Sequence, residues 1–155
     1  MKLNSIFKLF LFKKRGAFYP LYKNYVYFTI FPPMNNKQTI VLAEDNSTLS
    51  SMLKFRLEKE EYVILIAEDG RKAIELIEQH RPDLILTDIM MPFVSGLEVV
   101  SFVRIKLNLG SPIIVFSTAG QEEMVLKSFD LGANDFMSKP FSPNELVIRV
   151  KRLLH

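Results

Sequence analysis

From residue 34 onward, five short apolar runs alternate with longer segments whose apolar residues recur at helical spacing. The runs are Thr39–Ala43, Tyr62–Ala67, Asp83–Thr87, Pro112–Ser117 and Asp135–Ser138. Between and after them, Leu49, Met52, Leu53 and Leu57 share one helical stripe, and Ala73, Ile74 and Ile77 a second. Leu97, Val100 and Arg104 mark a third more loosely. Met124, Val125 and Phe129 form a fourth that stops at Gly132, and Leu146, Val147, Val150 and Leu154 a fifth. Asn46 or Ser47, Ser95 and Ser142 stand where N-caps belong. Nearly continuous apolar strands alternating with amphipathic helices predict an α/β domain, a parallel sheet covered on both faces.

This pattern gives meaning to the polar residues that end the strands. Glu44-Asp45 follow the first run, Asp88 ends "LILTD", Ser117 ends the fourth run and Lys139 follows the fifth. Parallel strands place their carboxyl ends along one edge, and ligands bind in the crevice beyond it, where strand order reverses. If the first and third strands are neighbours there, three carboxylates converge. Such a cluster requires a counter-charge. Mg²⁺ suits it, because that ion takes one or two carboxylates directly and keeps several waters. Acids, a hard cation, the Lys139 ammonium and the Ser117 hydroxyl together suit a phosphoryl group. Singly, each residue has an ordinary explanation: a helix cap for Glu44-Asp45, a solvated loop lysine for Lys139, a turn aspartate for Asp88.

Composition narrows the chemistry. The chain has no cysteine, so thiolate chemistry and disulfides are excluded, and its two histidines, His80 and His155, argue against a histidine-based metal site or dyad. The net charge of +3 conceals two different segments. Residues 1–33 carry six Lys/Arg and no acid, whereas residues 34–155 carry 14 basic and 17 acidic residues. The basic balance belongs to the leader and gives no reason for the domain to bind nucleic acid directly.

The leader also holds 10 of the 18 aromatic residues, yet no uncharged run in it approaches the ~20 residues of a membrane span. Two readings stand. Ile6, Phe7, Phe10 and Leu11 could share the apolar face of a basic amphipathic anchor. Alternatively, Met34, directly after Pro32-Pro33, is the natural start, and residues 1–33 are a basic aromatic leader outside the folded domain of residues 34–155. We adopt the second as the expectation.

The motifs "VLAEDN", "LILTDIMMP", "PIIVFSTAG" and "GANDFMSKPFSP", in this order and spacing, resemble the receiver domain of two-component response regulators over about residues 37–154. The resemblance implies a flavodoxin-like fold: five parallel strands in the order 2-1-3-4-5, counted within the domain, with five helices. It implies that Asp88 accepts the phosphoryl group, that Asp45 ligates Mg²⁺ directly, that Glu44 acts through metal-bound water, and that the Met90 carbonyl completes the protein ligands. Lys139 would hold phosphoryl oxygens, with a cis peptide before Pro140. Ser117 would be the switch hydroxyl, Thr118 would offer its backbone N–H, and Phe136 would be the aromatic that turns inward with the switch. Spacing from Pro112 favours Ser117 over Thr118 as that hydroxyl. Met124, Phe129 and Leu131 are expected as core or interface residues without a chemical role.

The implied function is a cytoplasmic signalling switch, with self-phosphorylation and self-dephosphorylation as its only catalysis. The implied partners are a sensor histidine kinase or phosphotransfer protein, a downstream protein target, and a second copy of the chain on phosphorylation. Asp130, Asp135, Glu145 and Arg149 are the charges expected on the dimerising face. Three rivals are weighed. A haloacid-dehalogenase-like phosphatase needs an acid two residues after its nucleophile, where Met90 stands. A flavodoxin-like cofactor module needs a Gly/Ser/Thr-rich phosphate loop where "AEDNSTLS" is acidic. An unphosphorylated docking module would lack an acid or the lysine, and none is missing.

Overall fold

The computed structural model describes residues 37–118 and 122–155 and, as backbone, 11–14 and 17–20. The chain divides into two units, Met1–Asn35 and Asn36–His155. In the first, β1 (Leu11–Lys14) and β2 (Ala17–Pro20) pair antiparallel. Leu11, one of the residues of the anchor reading, lies in β1; Ile6, Phe7 and Phe10, the Met34 boundary and most of the leader lie outside the described residues.

In the second unit, β3 (Thr39–Ala43), β4 (Val63–Ala67), β5 (Leu84–Asp88), β6 (Ile113–Thr118) and β7 (Asp135–Lys139) form one parallel sheet in the order β4-β3-β5-β6-β7. Counted from β3, this is the order 2-1-3-4-5 of a doubly wound domain. Strand periodicity sends alternate residues to opposite faces. Ile40 and Leu42 enter a core with Leu53 and Leu57 of α1 (Ser47–Glu58) and with Leu146, Val147 and Val150 of α5 (Pro143–Leu154). Val41 and Ala43 enter the other, with Ala73 and Ile77 of α2 (Gly70–His80) and Leu97, Val99 and Val100 of α3 (Gly96–Ser101). β5 is buried along its whole length, which is why its sequence is apolar up to Thr87-Asp88.

Local chemistry sets the helix boundaries. Asn46 and Ser142 cap α1 and α5, and Ser95 forms a capping box with Glu98 at α3. α3 then loosens into a π-helical segment, Phe102–Lys106. Arg104 leaves that segment to donate to the carbonyls of Gly132 (3.0 Å), Leu109 (2.6 Å) and Ser111 (2.9 Å) and to Asn134 Oδ1 (2.8 Å). The loose third stripe of the sequence therefore has a cause: Arg104 is a tie between loops, not part of an amphipathic face.

α4 (Glu122–Asp130) ends where Gly132 takes a positive φ of 101°. Its inward residues are Ser128, fully buried, and the half-buried Val125. Met124 and Phe129, from the fourth stripe, are 37% and 45% exposed and are not core residues. Met52 of α1 is likewise turned outward, and Ser50 is buried on that helix.

Candidate functional site

The order of the sheet reverses between β3, which turns back to pair β4, and β5, which leads on to β6 and β7. The carboxyl ends of β3, β5, β6 and β7 line the edge beyond this switch point, and they deliver Glu44-Asp45, Asp88, Ser117-Thr118 and Lys139 respectively. Register carries this out: Asp88 pairs with Phe116, Ser117 with Ser138, and Thr118 with Lys139.

Glu44, Asp45 and Asp88 each place a carboxylate oxygen within 4.8 Å of the others. Glu44 and Asp88 are buried and Asp45 is exposed. Lys139 bridges the two buried acids, its Nζ donating to Glu44 Oε2 at 2.6 Å and to Asp88 Oδ2 at 2.8 Å. The other Glu44 oxygen accepts the Asn46 N–H at 3.3 Å. Burial pushes the Glu44 carboxyl above its usual range against the pull of Lys139, and the Asp88 charge adds to the rise. Burial works to lower the Lys139 ammonium, but its bonds to Asp88 and Glu44 outweigh that and hold it above its ordinary value. One cation thus serves two buried anions, and a third carboxylate stands beside them facing solvent. That all-oxygen donor set, with a free-standing carboxylate at its open side, fits a hard divalent cation such as Mg²⁺.

The remaining expected residues fall around this cluster. Ser117 is fully buried, and its Oγ lies 3.3 Å from the Thr118 carbonyl; Thr118 is exposed. Phe136 is half-buried against the α2–α3 core, paired in register with Val115. Met90 is 60% exposed. The Lys139–Pro140 peptide is cis.

Two supports of the site were not expected from sequence. Gly96 donates its N–H to the Ile89 carbonyl at 2.9 Å, and a Cβ on it would sit 2.0 Å from the Asp88 carbonyl oxygen. Asn46, already an N-cap candidate by sequence, also supplies the N–H that holds Glu44. The "SG" pair after the loop signals the first, since serine capping followed by glycine fits a tight helix entry. Nothing in the pattern signals the second.

The family model for the response regulator receiver domain matches residues 40–151. The chain belongs to that family. Among curated proteins, this receiver is similar to the alkaline phosphatase synthesis transcriptional regulatory protein PhoP of Bacillus subtilis (strain 168), at 36% identity over 121 residues, 78% of this chain and 49% of PhoP. It therefore spans about half the length of that relative. Among solved structures, the receiver domain of the Francisella response regulator 1452 matches with a TM-score of 0.71 at 30% identity, covering 76% of this chain and 97% of that one. A putative response regulator from Chloroflexus aurantiacus matches with a TM-score of 0.71 at 32% identity, covering 76% and 98%. Chemotaxis protein CheY4 of Vibrio cholerae gives 0.71 at 28% identity, covering 76% and 99%. This receiver is a module of two-component signalling, not a conventional enzyme. Among the described residues no helix is long and apolar enough to cross a membrane.

Proposed function

We propose that the receiver is a cytoplasmic phosphorylation switch in which Asp88 takes a phosphoryl group from the phosphohistidine of a sensor kinase or phosphotransfer protein. The observation that carries this is the Glu44–Lys139–Asp88 bridge, which sets a buried carboxylate at the end of β5 beside a cation and an acidic cluster. An Asp88 oxygen attacks phosphorus, the P–N bond breaks, and its electron pair leaves on the imidazole. Lys139 exchanges its carboxylate partners for phosphoryl oxygens. Ser117 Oγ and the Thr118 N–H donate to the same oxygens, and Phe136 turns inward as the hydroxyl moves.

Glu44, Asp45, Asp88 and the Met90 carbonyl would hold Mg²⁺, whose chemistry there is neutralisation of the charge on the phosphoryl oxygens. Of the two acids after β3, Asp45 would ligate the ion directly and Glu44 through metal-bound water, because the Asp45 carboxylate faces solvent, whereas both Glu44 oxygens already accept hydrogen bonds. Output is a changed surface on α4, β7 and α5, read by a downstream protein or by a second copy. Three of the four charges expected on that face pair within the chain: Arg149 holds Asp135 (2.9 Å) and Glu145 (2.7 Å), and Arg152 also holds Asp135 (2.7 Å). Self-association would therefore draw first on the exposed Leu126, Phe129 and Ile148.

The test is labelling by acetyl phosphate with Mg²⁺ titrated. Label is expected to appear only with the metal and to be lost to hydroxylamine, as an acyl phosphate is. Asp45→Ala should weaken the metal requirement's midpoint more than Glu44→Ala does. Metal-independent labelling, or equal losses in the two variants, would remove these roles.

A further inference from the structure

The segment that leaves Asp88 closes on itself. Ile89 donates its N–H to the Phe116 carbonyl at 3.0 Å, and its own carbonyl accepts the Gly96 N–H at 2.9 Å, so residues 89–96 form a loop tied at both ends beside the acid. Within it, the Val94 N–H donates to the Pro92 carbonyl at 2.8 Å, and Phe93 between them has a φ of 66°. An i→i+2 bond across a residue of positive φ is the rare and strained form of γ-turn. Glycine would sit there freely, whereas a bulky side chain at positive φ is out of its ordinary range.

Burial does not explain the phenylalanine, since Phe93 is 70% exposed. What its ring meets is Arg71, whose guanidinium carbon lies 4.3 Å from the ring centroid. Beside Arg71, at the start of α2, Gly70 is closed against the same loop: a Cβ there would lie 2.0 Å from the Val94 carbonyl oxygen. Two neighbouring residues of α2 thus grip two neighbouring residues of the loop, Gly70 with Val94 and Arg71 with Phe93. α2 is itself fixed, by Asp69 accepting the Lys72 N–H at 2.8 Å and by Ala73 and Ile77 in the core. Met91 and Val94 lean on that core, whereas Met90 and Phe93 face outward. The exposed Met90 side chain cannot hold its own peptide in place, so the ties on either side must do so. Strain is retained at an exposed residue where one substitution would relieve it, and stability alone gives no reason for that.

We propose that Phe93 and Arg71 are a positioning pair for the Mg²⁺ site: the stacked ring and guanidinium hold the strained turn, and the turn fixes the Met90 peptide. This role rests on the Mg²⁺ contact proposed above for the Met90 carbonyl. Neither residue is a ligand, and both act through that peptide.

The test is Mg²⁺ titration of the full chain, followed by NMR at the amides of Ile89 and of Met91, whose N–H shares a peptide with the Met90 carbonyl, and paired with urea unfolding of the metal-free protein. Phe93→Gly relieves the turn and removes the ring. Its urea midpoint should be no lower than that of the wild type and about 0.5 M above that of Phe93→Ala, yet it should bind Mg²⁺ about three- to five-fold more weakly. Phe93→Tyr, which keeps the ring, should bind as the wild type does. Arg71→Gln should weaken Mg²⁺ by a similar factor, the scale of one exposed cation–π contact. The sign of that change is diagnostic, because deleting a positive charge near an acidic cluster would, through charge alone, tighten a cation. Unchanged or tighter binding in Arg71→Gln, unchanged binding in Phe93→Gly, or affinities that follow the urea midpoints across the variants would overturn the pair's role while leaving the site itself standing. A wild type that binds no Mg²⁺ would overturn it together with the metal-binding role of Met90.

Discussion

Gly96 shows how tightly single residues frame Asp88, the proposed phosphoacceptor. A methyl group there would meet the Asp88 carbonyl oxygen at 2.0 Å and Thr87 Oγ1 at 2.9 Å, and the first of these is backbone that cannot swing away. Gly96→Ala should cost about 2–3 kcal/mol in urea unfolding, as overpacking against a rigid wall does. Gly110→Ala is the control: nothing lies within 4 Å, so it should be neutral or more stable by about 0.4–1 kcal/mol through the unfolded state. Equal effects would mean that the Asp88 strand end tolerates displacement. Met90 is 60% exposed and two residues past Asp88, a position from which it would bear on the lifetime of a phosphoryl group carried there. Hydrolysis needs a water in line with the aspartyl oxygen, and a methionine can shield but cannot orient one. Ala119, expected on the other side of that approach, lies outside the described residues. Met90→Asn and Met90→Glu should lose phosphate faster than the wild type at saturating Mg²⁺. Unchanged decay rates would place the control of lifetime elsewhere.

At the scale of elements, the strands were legible to within a residue or so, because a run of β-branched and aliphatic residues ending in a polar one has few other uses. β3 spans Thr39–Ala43, as its run predicts, and β5 and β6 each start one residue later and end one later than theirs. The helices were legible in position but less so in facing. Ser50 and Ser128 point inward because each hydroxyl bonds a carbonyl three residues back, Ser47 at 3.2 Å and Val125 at 2.7 Å. A buried serine satisfied by its own helix leaves no trace in a hydropathy pattern, so Met52, Met124 and Phe129 took its place in the expected stripes. Arg104 was hidden for a related reason: its acceptors are carbonyls of distant loops, and a sequence does not show which carbonyls need a donor. Its loss would leave the Gly132, Leu109 and Ser111 carbonyls without this donor, so Arg104→Ala should destabilise the domain by about 2–4 kcal/mol. Arg104→Lys should recover less than half, since an ammonium lacks the planar fork. Full recovery would reduce the residue to a point charge.

At the scale of the molecule, the site exists because one edge of one sheet collects the ends of four neighbouring strands that are far apart in sequence, β3, β5, β6 and β7. The residue types at those ends could be read from the sequence; their meeting could be inferred only through the switch-point rule and the family resemblance, and the Lys139 bridge between Glu44 and Asp88 only from the coordinates. The account stands or falls on Asp88 as the residue that carries the phosphoryl group. The direct measurement is to treat the full chain with acetyl phosphate and Mg²⁺, reduce with borohydride, and sequence the peptides by mass spectrometry. Reduction converts an aspartyl phosphate to homoserine, so homoserine should appear in place of Asp88 and nowhere else. Asp88→Asn, with an unchanged far-UV circular dichroism spectrum, should take up no label. Homoserine in place of Asp45, or undiminished labelling of Asp88→Asn, would contradict the account.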